Sequence, residues 1–191
     1  MLFNEVKKED SVEYTVQMGR VNLIAIFMII PILIIFLVPY LLLWNFDILK
    51  IGYKLFLKNI FLLVFVGIIL HELLHGITWA ILTKKGFNQI KFGINWKYLS
   101  PYTHFKEPLK IKYYLAGALM PLIILGIIPA VYGIIMGDGF FLIFGIFFTW
   151  AAAGDIISSI RLLRLPMNIF VQDHPKELGF IVFDQATNGT L

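Results

Sequence analysis

The sequence predicts an all-α membrane protein of about four transmembrane helices with a small β-hairpin or sheet at the cytoplasmic face, and three observations predict it. Hydrophobic residues make up 59% of the 191 and charged residues 15%, with a mean hydropathy of +0.84, more apolar matter than a soluble domain of this size buries. The apolar residues fall in four runs, each long enough to cross a hydrocarbon core that takes about 20 helical residues. Between the second and third runs, apolar and polar side chains alternate as they do in a strand.

Taken in order, residues 1–20 form a polar segment in which Val12, Tyr14 and Val16 alternate. The first run, 21–44, starts too late, is too long and lacks the small-residue cleavage site of a signal peptide, so it is expected to be a retained span. Pro31 and Pro39 within it, and Pro121 and Pro129 within the third run, remove backbone donors and predict kinks or local breaks. Residues 45–58 read equally as an interfacial helix or as a polar extension of the second run, 59–83. In the 84–112 connection, Gln89 to Trp96 alternate and Ser100-Pro101 is expected to turn the chain, giving a strand or hairpin. Only Gly137-Asp138-Gly139 separates the third run, 113–136, from the fourth, 140–165, which forces an antiparallel pair. The tail, 166–191, alternates over parts of 179–184, so a small surface sheet could gather these strands. The organisation expected is therefore an N-terminal segment 1–20, a helical domain 21–165 and a tail 166–191, with no internal repeat.

The net charge of +4 and pI near 9.2 do not indicate nucleic acid, because the basic residues flank the apolar runs. With four crossings, both termini and the 84–112 connection share one side. Of the 16 Lys and Arg residues, only Lys50, Lys54 and Lys58 fall on the other. Cytoplasmic loops carry the basic excess, so both termini are expected in the cytoplasm. The chain has no cysteine, which excludes disulfides, thiolate ligands and a Cys nucleophile. Any metal would be held by His, Asp or Glu.

The second run reads IILHELLHGITWA, with His71, Glu72 and His75 near its middle. On a helix, positions i and i+4 share a face, so both imidazoles can meet one metal ion while the intervening Glu reaches a water beside it. Zinc suits such ligands, and an open coordination position makes the water reactive. Ionisable groups at mid-membrane cost about 2.5–3.5 kcal/mol each on insertion scales, so three in one span need a compensating partner. A metal is one such partner; a buried hydrogen-bonded cluster or proton relay is the alternative. A catalytic zinc takes three protein ligands. Asp155, the one carboxylate in the other three runs, lies at a depth within about a turn of His71 and His75. The small run Ala151 to Gly154 would let its helix approach the second closely. The alternative for Asp155 is a bond to Ser158 or a pair with Arg161.

His-Glu-Leu-Leu-His in one span, Gly-Ala-Leu-Met-Pro-Leu in the next and Gly-Asp in the last resemble the membrane family described as putative zincin peptidases. The likeness runs from about residue 65 to 183, taking in Tyr102-Thr-His-Phe-Lys-Glu-Pro and Asp173-His-Pro. That family is in turn similar to site-2-type intramembrane metalloproteases. The latter resemblance implies two His and one Asp on zinc, a Glu base, and a substrate strand added at a sheet edge. The sequence departs from the site-2 pattern in two ways: Asp155 sits in Gly-Asp-Ile instead of Leu-Asp-Gly, and no Asn occurs between Tyr113 and Leu165 to hold a developing oxyanion. His104, Tyr113, Tyr114 or Thr149 could replace that Asn.

The reading is a zinc peptidase acting on membrane protein or peptide substrates, with His71, His75 and Asp155 on zinc and Glu72 as general base. His104 is a candidate fourth ligand or proton donor, or an interfacial histidine; His174 reads as a turn residue. A metal or proton transporter using the same residues, or an inactive zinc-binding scaffold, is the rival. A transporter calls for further polar residues along a path and often for a repeated binding helix.

Overall fold

The computed structural model describes residues 2–8, 10–96, 100–174 and 177–183. Lys97 and Lys176, counted above for orientation, and the strand end at Asp184 lie outside them. Helix α1 spans Met18–Leu43, α2 Phe46–Lys58 and α3 Ile60–Thr83. Helix α4, Ile111–Pro121, passes through a π-helical segment, Leu122–Ile127, into α5, Ile128–Met136; α6, Gly139–Ala151, is followed by α7, Ala153–Leu162. Three stretches, Met18–Leu43, Ile60–Thr83 and Ile111–Met136, are long and apolar enough to cross a membrane, and α6 with α7 makes a fourth if the pair is one span.

Proline acts differently in the two runs that contain it. Helix α1 continues unbroken through Pro31 and Pro39, as helices in apolar surroundings tolerate. In the third run the backbone widens into the π-helical segment directly after Pro121, where the missing donor disturbs the regular ladder. The fourth run breaks at Ala152, although no proline or glycine stands there. The break gives Asp155 a place in the first turn of a new helix, where the unpaired N–H groups favour a carboxylate.

The chain forms two compact units, one of residues 1–23, 72–119 and 155–191, the other of 24–71 and 120–154. In the second unit, α2 is a helix of its own, capped by Asn45 and ended at Asn59, which separates it from α3, so 45–58 does not continue the second run as one helix. Helices α5 and α6 turn back on each other through Gly137, which adopts φ 70°, and Asp138, whose Oδ1 accepts from the amides of Phe140 and Phe141. Tyr40 and Trp44 of the α1 end fasten this turn by donating to the carbonyls of Gly137 and Ile134. Many large apolar side chains stay exposed on these helices, Phe27, Ile34 and Leu42 among them.

The first unit contains both sheets. Strands β1 (Asn4–Lys7), β2 (Ser11–Thr15), β5 (Leu109–Lys110), β6 (Phe170–Asp173) and β7 (Gly179–Phe183) form an antiparallel sheet in the order β1-β2-β7-β6-β5. The register sets Tyr14 opposite Phe180 and Val171 between Leu109 and Val182. That face packs with Trp79, Ile111, Tyr114, Leu115 and Leu162 into one apolar core. The polar N-terminal segment and the tail are thus partners in one sheet. Strands β3 (Ile90–Asn95) and β4 (Ser100–Phe105) form a separate hairpin. Ser100 and Pro101 open β4 instead of turning the chain, and the start of an edge strand is where proline is tolerated in a sheet.

Candidate metal centre

Helix α3 carries no proline over 24 residues, and its continuity holds His71, Glu72 and His75 in fixed relation. His75 is buried, while His71, Glu72 and Asp155 are half-buried. His75 Nε2 lies 3.7 Å from Asp155 Oδ1 within the first unit. His71 is the residue just before that unit's middle segment, one turn earlier on the same unbroken helix. His71, His75 and Asp155 each offer a ligand atom, all within 4.8 Å of one another. The depth match expected from the sequence is therefore met.

His75 is prepared for a metal by what its other nitrogen does. Nδ1 lies 2.9 Å from the carbonyl oxygen of Gly117. A carbonyl only accepts, so Nδ1 carries a hydrogen, which leaves Nε2 as the ring nitrogen toward Asp155 that could bind a metal. The ring stacks on Trp79 at 5.6 Å between centroids, and Trp79 Nε1 donates to the Tyr114 carbonyl at 3.2 Å. Trp79 lies so close over Gly117 that a Cβ there would stand 2.0 Å from Nε1. Gly117→Ala must therefore displace the indole against which His75 rests, and it is expected to weaken zinc binding about tenfold in a competition titration, the lower end for loss of an orienting partner. Gly154→Ala, where a Cβ meets nothing within 4 Å, is the control. Unchanged affinity in Gly117→Ala would remove the buttress from the account.

The donor set fits zinc. A tetrahedral ion with bonds of about 2.1 Å holds its donors about 3.4 Å apart, so the 3.7 Å pair is nearly in place and small side-chain rotations close the rest. Two imidazoles and one carboxylate leave a fourth position open, as a catalytic site needs. Within the small run, Ala152 and Ala153 are buried but Gly154 is open. Arg161 is engaged elsewhere, 3.4 Å from Glu5 and over the Tyr14 ring.

Glu72 lies outside the grouped donors, being rotated about 100° from His71 on the helix. Its Oε2 accepts from Thr103 Oγ1 at 2.7 Å, and the same hydroxyl lies 2.9 Å from the Glu72 carbonyl oxygen. Sequence reasoning missed Thr103, because alternation identifies a strand without naming the helix it will face. His104, next along β4, also stands outside the grouped donors; its Nδ1 lies 2.9 Å from Asp173 Oδ2. The other oxygen of Asp173 takes the Tyr114 hydroxyl, and Lys112 stands 5.0 Å from the Tyr113 ring. Thr149 belongs to the second unit. His174 accepts from the Glu177 amide, as a turn residue does.

Two imidazoles one helical turn apart, converging with a carboxylate from a later helix, make a mostly helical protein with a candidate metal site. The chain belongs to the family described as Putative zincin peptidase, whose model matches residues 64–170, more than half of its length. The match includes His71, Glu72, His75, Thr103, His104, Tyr114 and Asp155, and it ends before Asp173 instead of continuing to 183. No curated protein and no solved structure matches the chain. The family points to a zinc metallopeptidase; the wider likeness to site-2-type proteases rests on sequence motifs alone.

Proposed function

We propose that the protein is a zinc-dependent intramembrane peptidase that hydrolyses membrane-associated or transmembrane peptides. The observation that carries this reading is the convergence of His71, His75 and Asp155 with Glu72 one step around the helix. Zinc, when bound, supplies Lewis acidity and lowers the pKa of the attacking water towards about 7. Glu72 accepts a proton from that water as its oxygen bonds to the scissile carbonyl carbon. The C–N bond then breaks and Glu72 passes the proton to the leaving nitrogen.

Three further features support a membrane setting. The site lies midway along an apolar helix, the neighbouring helices expose apolar side chains, and basic residues gather on one side of the runs if all four cross, which supports an orientation with both termini in the cytoplasm. The substrate must be extended, because helical amides are shielded. The unpaired edge of β3 offers it a strand partner, and among the described residues β3 pairs with β4 alone.

The test uses the purified chain in sealed lipid vesicles with a set of quenched fluorescent transmembrane peptides. Cleavage that a zinc chelator stops and added zinc restores is expected. Zinc movement into the vesicles with no peptide cut would replace the peptidase reading with a transporter.

A further inference from the structure

We infer that Thr103 positions the Glu72 carboxylate for the reaction, which makes the β3–β4 hairpin part of the catalytic apparatus. The inference rests on the peptidase reading and assigns a residue that this reading does not require. A hydroxyl has one proton to donate and two lone pairs to accept with, whereas an ionised carboxylate only accepts. The Thr103 hydroxyl donates to Glu72 Oε2, 2.7 Å away, and lies 2.9 Å from the Glu72 carbonyl oxygen, so one side chain of β4 engages both the carboxylate and the backbone of the same residue. This contact leaves Oε1 for the proton of the water.

The hairpin holds Thr103 in place for this contact. Thr103 is opposite Phe92, and Phe105 opposite Ile90, so these four side chains share one face. That face lies on α3 one turn beyond Glu72: a Cβ on Gly76 would stand 2.8 Å from Phe92 Cζ and 3.2 Å from Ile90 Cγ2. The β-branched side chain is itself stiff about χ1. His104 projects from the opposite face to Asp173, so the adjacent residue does not compete for the base. A glutamate has several free torsions, and this clasp fixes them where the proton is transferred.

The experiment compares full-length, zinc-loaded wild type with Thr103→Val, Thr103→Ser and Glu72→Gln. Thr103→Val is expected to keep its zinc and its KM while kcat falls about ten- to hundredfold, the usual cost of a hydrogen bond to a charged group. Thr103→Ser should recover most of the rate. The second readout is independent of activity. The Glu72 carboxylate stretch, isolated as the infrared difference between wild type and Glu72→Gln, should move in Thr103→Val and stay in Thr103→Ser. Wild-type kcat with an unmoved band in Thr103→Val would overturn the assignment and leave the peptidase intact. Undiminished cleavage by Glu72→Gln would instead remove the base itself. Should Thr103→Val not accumulate, Thr103→Ala carries the same expectation; failure of both to fold would make Thr103 a structural residue and overturn its positioning role.

Discussion

Alanine at His71, His75 or Asp155 is expected to abolish zinc retention, with elemental analysis falling from about one zinc per chain to a small fraction of that. The three donors lie within 4.8 Å of one another, and two remaining ligands do not hold a structural or catalytic zinc at micromolar free metal. His75 should be the most sensitive. It is the buried donor, and its ring is fixed by the Gly117 carbonyl and by Trp79, so its removal also leaves that carbonyl without its donor. Asp155 is half-buried at the start of α7, and its variant should fold normally while losing metal. Full zinc in Asp155→Ala would remove Asp155 from the ligand set and return it to a role in the helix terminus.

Glu72→Gln separates binding from chemistry. The amide keeps the length of the side chain and still offers an oxygen to Thr103, so zinc content and folding should match wild type. Without a basic oxygen the proton of the attacking water has no acceptor, and cleavage should fall by about two to four orders of magnitude. The double variant Glu72→Gln, Thr103→Val should be no slower than Glu72→Gln alone, because residues that act as one unit are not additive. A variant that loses its zinc along with its activity would place Glu72 among the ligands and refute the division of roles.

Much of this arrangement could be read from residue order because it depends on local periodicity. The helical spacing of His71, Glu72 and His75, the alternation from Gln89 to Trp96 and the depth of Asp155 all follow from rise and turn. What stayed hidden depends on pairing at long range or on small backbone choices. The break at Ala152 has no proline or glycine to announce it. Strand β6 is four residues long, FVQD, too short for alternation to stand out. It forms because β7 and β5 flank it. Thr103 looked like any strand threonine until the hairpin was seen to place it against Glu72. The role of Trp79 likewise appears only when Gly117 is known to lie beneath it.

The strand order of the five-stranded sheet also governs when during synthesis the site can be completed. Strand β2 pairs with β7, so residues 11–15 wait for 179–183 while everything between them is translated. At about 5–20 residues per second this is an interval of many seconds, spent with β2 lacking its later neighbour. By then α3 and α7 have already been made, so every proposed zinc donor precedes the completion of the sheet that packs beneath Tyr114 and Trp79. Asp173, the partner of both His104 and Tyr114, also arrives after them. A nascent chain therefore carries the proposed metal donors before β6 and β7 complete the sheet that packs with Trp79 and Tyr114.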